Sequence, residues 1–248
     1  MKPDNLPEPE EYFRVMEEHF RNNPDSPWLE VFCRRAMQMR GYSTRNVALI
    51  LTQFSKATYV AGKSQYEQMG ADVRPNAFPI AISVPLASSA ETKTTKFTWA
   101  MVYDIKHTTM EYLPYEQKIT PKECLQKAVH LAKQAGMSVA VANIASGAWK
   151  ELHGTNLYLR KGVSTEIMCQ LIFHELAYVA LVKEGTNERQ AYSLAAIVSY
   201  SVGVGLGLEM PPLSQPHKIV ACEGAGLLPN MDKSLKVAKR IAKALNKA

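Results

Sequence analysis

Apolar side chains recur along the first part of the chain at helical spacing. Tyr12, Phe13, Met16 and Phe20 form one stripe over residues 8–20, and Asn22-Asn23-Pro24-Asp25 interrupts it. Ser26 followed by Pro27 reads as an N-cap and a first helical residue, which predicts a helix to about Met39, closed by Gly41. Ser43 opens a third helix over 44–56, with Val47, Ile50, Leu51 and Phe54 on one side. The period then changes. Residues 78–85 and 97–103 are rich in β-formers, and the polar SSAETKTTK between them suits a hairpin tip or loop.

A second region begins after Thr108, where EYLPYEQKITP reads as a long connection. A helix over 121–134 follows, stopped by Gly136, then a buried strand at 138–142 and another strand at 156–160. Two long helices come next, the second starting near Glu188. The GVGLG at its end reads as helix termination, because a phosphate loop opens a helix instead of closing one. The last predicted helix, 232–248, carries Leu235, Ala238, Ile241, Ala242 and Leu245 on one side and basic residues elsewhere. Docking on the protein's own core, with the lysines in water, is preferred over contact with DNA or an acidic membrane surface.

A chain of 248 residues with 46% hydrophobic content holds one large or two small domains with a real core. Cys33, Cys124, Cys169 and Cys222 lie far apart with no CxxC pair, which argues against a disulfide framework and fits a reducing cytoplasm. The acidic, proline-rich start does not read as a signal peptide. Residues 191–208 are free of charge, but three serines, three glycines and two tyrosines favour a buried helix over a membrane span. The net charge of +6 is unevenly placed. Residues 1–30 carry 3 basic and 8 acidic side chains, 31–115 carry 10 and 5, and 232–248 carry 6 and 1. Two separate basic regions suggest a polyanion partner, with solvated faces as the alternative.

The sharpest chemical signal is His174-Glu175-Leu176-Ala177-Tyr178. In the zinc-peptidase motif HExxH, two histidines four apart share one helical face and reach one metal, while the glutamate acts as base on metal-bound water. Here Tyr178 stands where the second histidine belongs. A phenol has a pKa of about 10 and must lose its proton to ligate well, so it makes a poor substitute for neutral imidazole. GxSxG and GxxxxGK[ST] are absent, and His107, His130, His153 and His217 are isolated and read as ordinary histidines.

The chain resembles ArdC-type antirestriction proteins of mobile elements. Arg40 to Pro85 contains RGYSTRN, a GxxQW-like turn at Gly62-Lys63-Ser64-Gln65-Tyr66 and a GxxVRxxxxxI segment from Gly70 to Ile80. MVYDIKHT at 101–108 is similar to that family's VFDxxQT. LYLRKGVSTEIMCQLIFHELAY and NERQAYSLAAIVSYSVGVGLGLE carry the later part of the likeness. The resemblance implies a single-stranded-DNA-binding domain at 1–115 and a zinc-peptidase-like domain of the ImmA/IrrE kind at 116–248. It also implies a third metal ligand within a pattern like E-x-E-A-E-S-x-A-Y. On that correspondence Tyr192 takes the glutamate's position, with Glu188 one turn earlier as a substitute. The metal set to test is therefore His174, Tyr178, Glu188 and Tyr192, with Glu175 as the catalytic base only if the site is active.

The expected fold is α+β: N-terminal helices with a small antiparallel sheet, then a zincin-like helical domain with a small sheet. Binding is the expected function, because a catalytic zinc needs three dependable ligands. Single-strand binders mix cations for phosphates with rings for bases. The DNA-binding residues expected on that basis are Arg40, Arg45, Lys56, Tyr59, Lys63, Tyr66, Arg74 and Trp99. Phe54 and Phe78 are expected in the core, and Tyr59, Tyr66 and Trp99 at the surface, with an inward-facing Trp99 as the alternative. No cofactor is expected unless the peptidase site works, in which case it is zinc. Two alternatives stand beside this reading: an active metallopeptidase with tyrosine ligation, and an inactive scaffold gripping a protein partner. No membrane partner is expected.

Overall fold

The computed structural model describes residues 9–23, 25–85, 97–111 and 119–247. The SSAETKTTK turn and most of the EYLPYEQKITP connection lie outside them. The chain divides into two compact units, Met1–Met16 with Gln38–Tyr115, and Glu17–Met37 with Glu116–Ala248. The division falls inside helix α1 (Pro9–Asn22), whose Phe13 and Met16 are buried as the stripe predicts. The architecture is α+β, with two small three-stranded sheets beside helices among the described residues.

In the first unit, α3 (Thr44–Gln53) starts where expected. Ser43 is its N-cap, its hydroxyl accepting from the Asn46 N–H at 3.2 Å. Strands β1 (Val60–Ala61), β2 (Ile80–Pro85) and β3 (Phe97–Asp104) form an antiparallel sheet in the order β1-β3-β2. A short helix α4 (Lys63–Gln68) follows β1. Strand β2 is an edge, and an edge left open invites pairing with other chains. Helix α3 covers it with two side-chain amides. Asn46 donates to the Ser83 carbonyl at 2.8 Å and accepts its N–H at 3.0 Å. Gln53 does the same for Ala81, at 2.8 and 2.9 Å. Seven residues span about two helical turns and two residues span one strand repeat, so both amides meet backbone groups on the same edge.

The second unit contains α2 (Trp28–Gln38), α5 (Pro121–Gln134), α6 (Thr165–Lys183), α7 (Glu188–Gly205), α8 (Gln215–Ala221) and α9 (Leu227–Leu245). Its sheet joins β4 (Ser138–Ala142), β6 (Asn156–Arg160) and β5 (Lys150–His153), in that order. Strand β4 runs parallel to β6, and β5 antiparallel to it. The sequence reading places residues 17–37 in an N-terminal domain, but α2 packs with this unit. Glu30 forms a buried ion pair of 2.8 Å with Lys218 on α8, accepts the Leu213 N–H at 3.1 Å, and lies two turns from Met37, which packs on Gly205. Strand β4 differs from expectation too. It is an edge strand, and Val141 is exposed, not buried.

Helix α7 is the centre of this unit. Between Ala191 and Val204 every residue is buried except Tyr192. The GVGLG glycines have two separate uses. A Cβ at Gly203 would collide with Met210 and one at Gly205 would come within 2.9 Å of Met37, so these two permit close packing. Gly207, at φ 81°, ends the helix. Helix α6 is the one described helix long and apolar enough to cross a membrane, and it packs against α5, α7 and α9. Helix α9 begins five residues earlier than predicted and docks its apolar face on the core, with Leu235, Ala238, Ile241, Ala242 and Leu245 buried.

Candidate functional site

The HELAY motif lies in the middle of α6, where His174 and Glu175 are both buried. A buried carboxylate needs a compensating cation. That cation is Lys150, reaching in from β5. Its ammonium pairs with Glu175 Oε1 and lies 3.1 Å from His174 Nδ1. The other imidazole nitrogen, Nε2, lies 3.1 Å from the backbone carbonyl of Tyr192 on α7. A carbonyl only accepts, so Nε2 carries a hydrogen. Nδ1 faces the Lys150 ammonium and Glu175 Oε1, the latter at 3.4 Å.

The Tyr192 ring covers this group. It stands edge-on to the His174 ring, with centroids 4.6 Å apart, and the Lys150 ammonium lies 5.6 Å from its centre. The His217 ring of α8 lies 6.0 Å from the Tyr192 ring, centroid to centroid. Burial, with His174 nearby, lowers the His217 imidazole from its ordinary value. Burial pushes the Glu175 carboxyl up, but hydrogen bonding with His174 and the charge of Lys150 outweigh it and hold it below the ordinary carboxylate range.

The tetrad of metal-ligand candidates is only partly assembled. Tyr192 meets His174 through its ring and its carbonyl. Tyr178 makes no hydrogen bond or ring contact with His174 among the described residues, and Glu188 is exposed at the start of α7. No group of three or more His, Cys, Asp and Glu side chains with metal-ligating placement occurs among the described residues. The donor set here does not fit a divalent ion. Of the two imidazoles here, His174 has Nε2 at a carbonyl and Nδ1 facing an ammonium, and His217 meets the Tyr192 ring. Sequence reasoning missed Lys150 and His217. The available signal for Lys150 was indirect: a buried Glu175 without a metal requires a cation from somewhere.

A second candidate surface lies within the first unit. A groove of about 570 Å³ is lined by Arg40, Tyr42, Tyr59, Gly62, Gln65 and Met101 among others. Tyr42 donates to the Val60 carbonyl at 3.0 Å, and burial, with Tyr59 nearby, pushes its phenol up to about 12. Of the expected DNA-binding residues, Arg40 and Tyr59 line this groove, and Lys63 is exposed on the adjoining α4. Arg45, Lys56 and Arg74 are exposed elsewhere, and Trp99 is half-buried on β3. Tyr66 is a correction. It is fully buried, its hydroxyl placed to donate to the carbonyls of Tyr103 at 3.1 Å and Tyr59 at 3.3 Å, so it cannot stack on a base. Phe78 is the opposite correction: it is 51% exposed, and Phe54 is half-buried against His107. Helix α4 explains Tyr66, because it turns that ring inward between Ala61 and Ala71.

No family model matches this chain, and no curated protein does. Solved structures of the antirestriction ArdC protein from the R388 plasmid do match. The Mn(II)-bound form has 16% identity and a TM-score of 0.57, covering 96% of this chain and 97% of that one. The metal-free form has 12% identity and a TM-score of 0.55, covering 96% of each. At these identities the likeness is one of fold: this chain has an ArdC-like fold over nearly its whole length.

Proposed function

We propose that this protein binds single-stranded DNA as an antirestriction protein of a mobile element, acting in the cytoplasm, and that its second unit is a peptidase-like scaffold without peptidase activity. The observation that carries the reading is the groove of the first unit, where Arg40 and Tyr59 face one channel beside Lys63, in a chain whose fold is that of an antirestriction protein. Cations there track phosphates, and the Tyr59 ring offers a face on which an unpaired base stacks. Covering a strand in this way shields it from a nuclease without any chemistry.

The scaffold part of the proposal is supported by the donor set around His174. A metallopeptidase reading requires His174 Nε2 as a ligand, but that atom faces the Tyr192 carbonyl. Glu175, the residue for a general base, is spent on Lys150.

Binding of a fluorescent single-stranded oligonucleotide at two salt concentrations tests the reading. Affinity falls as salt rises, because phosphate contacts release counterions. Arg40→Ala lowers the salt slope by about one and weakens binding to all sequences alike. Absence of binding to single strands at low salt would refute the proposal.

A further inference from the structure

We infer that Lys150 supplies the positive charge that the buried motif would otherwise take from a metal ion: its ammonium neutralises Glu175 and lies against His174 Nδ1, not at the Nε2 a metal would use, so the helix pair α6–α7 is organised without a divalent cation. The inference deepens the proposal that the second unit is not a metallopeptidase.

Four observations converge on it. Glu175 is a buried carboxylate, and a buried charge persists only when paired. Lys150 comes from β5, a different element, and its ammonium meets both neighbouring side chains of the motif at once. A metal at this motif would take an imidazole lone pair and lie close to the glutamate. The ammonium meets Nδ1 and the carboxylate together. The second imidazole nitrogen is closed by the Tyr192 carbonyl, and the Tyr192 ring, 49% exposed, covers the group from solvent and faces the ammonium with its π-electrons. Lys150 thus ties β5 to α6, and the His174 to Tyr192 bond ties α6 to α7.

The test uses the full chain in thermal unfolding, with EDTA and with excess Mn(II) or Zn(II). Wild type is expected to melt at the same temperature in all three. Lys150→Met is expected to lower the melting temperature by more than about 5 °C, because Glu175 is left buried without a cation. Lys150→Met with Glu175→Gln is expected to recover at least half of that loss, since the orphaned charge is gone. If Lys150→Met does not fold, the double variant and the metal arms on wild type still decide. Three results would overturn the inference: one Mn(II) or Zn(II) per wild-type chain that His174→Ala abolishes, a Lys150→Met variant as stable as wild type, or a double variant no more stable than the single. Single-strand binding is measured on the same samples. If wild type fails to bind DNA but the melting results hold, the functional proposal falls and the Lys150 assignment stands. Binding with no effect at Lys150 is the reverse case.

Discussion

The groove of the first unit and the α6–α7 cluster of the second use the same residue types in opposite ways. Beside the groove, Lys63 stays at the surface and pairs loosely, 3.9 Å from Glu67 with both side chains well exposed. In the cluster, Lys150 and Glu175 are withdrawn from water and bonded to each other. An exposed cation contributes little to folding and is available to a phosphate. A buried one is committed to its partner, because separating the pair strands a charge. The aromatic rings follow the same division. Tyr59, half-buried and edge-on to Tyr66, lines the groove, whereas Tyr66 is fully buried and locked into carbonyl hydrogen bonds.

The comparison is broken most forcefully at the most enclosed pair of the second unit, Glu30 and Lys218. Lys218→Met is expected to cost about 3–5 kcal/mol in urea unfolding, since it leaves Glu30 buried and uncompensated. A loss below about 1 kcal/mol would mean that buried pairs do not organise this unit. On the groove side, Tyr59→Ala is expected to weaken single-strand binding by about 1–3 kcal/mol, with little effect on melting. Equal loss of stability and binding would assign Tyr59 to the core. Tyr66→Phe sharpens the contrast from the other direction. It is expected to destabilise by about 1–2 kcal/mol through lost hydrogen bonds, while leaving the affinity of the folded protein unchanged.

The smallest effect is the acid limb of stability. The Glu175 carboxyl is depressed in the folded state, so its contribution is complete above the ordinary carboxylate pKa and is lost as pH falls below that range towards the folded value. Glu175→Gln should therefore flatten the decline in stability over that acid window. An unchanged decline would place the acid sensitivity elsewhere.

Helix starts were the most legible part of the fold. Ser43 before Thr44 and Pro121 at the head of α5 are local signals, and local hydrogen bonds satisfy them. The membership of residues 17–37 was not legible, because amphipathicity shows that α2 buries a face and not which core receives it. Helix α4 and strand β5 were too short to show a period. That is why Tyr66 and Lys150, one on each, were misplaced or missed.

By itself, the sequence determined the α+β class, most of the longer helices and strands, and the weakness of the metal motif. Those follow from residue periodicity, from caps, and from the identity of Tyr178 and Tyr192. Only the tertiary structure decided which rings line a groove and which are buried, and which cation is committed to Glu175. It turned Tyr66 inward and Phe78 outward, placed Arg40 and Tyr59 on the walls of one groove, and carried Lys150 across from β5 to Glu175. These are contacts between residues distant along the chain. Partner choice there depends on geometry and on the cost of leaving a buried charge alone, and neither is written in local spacing.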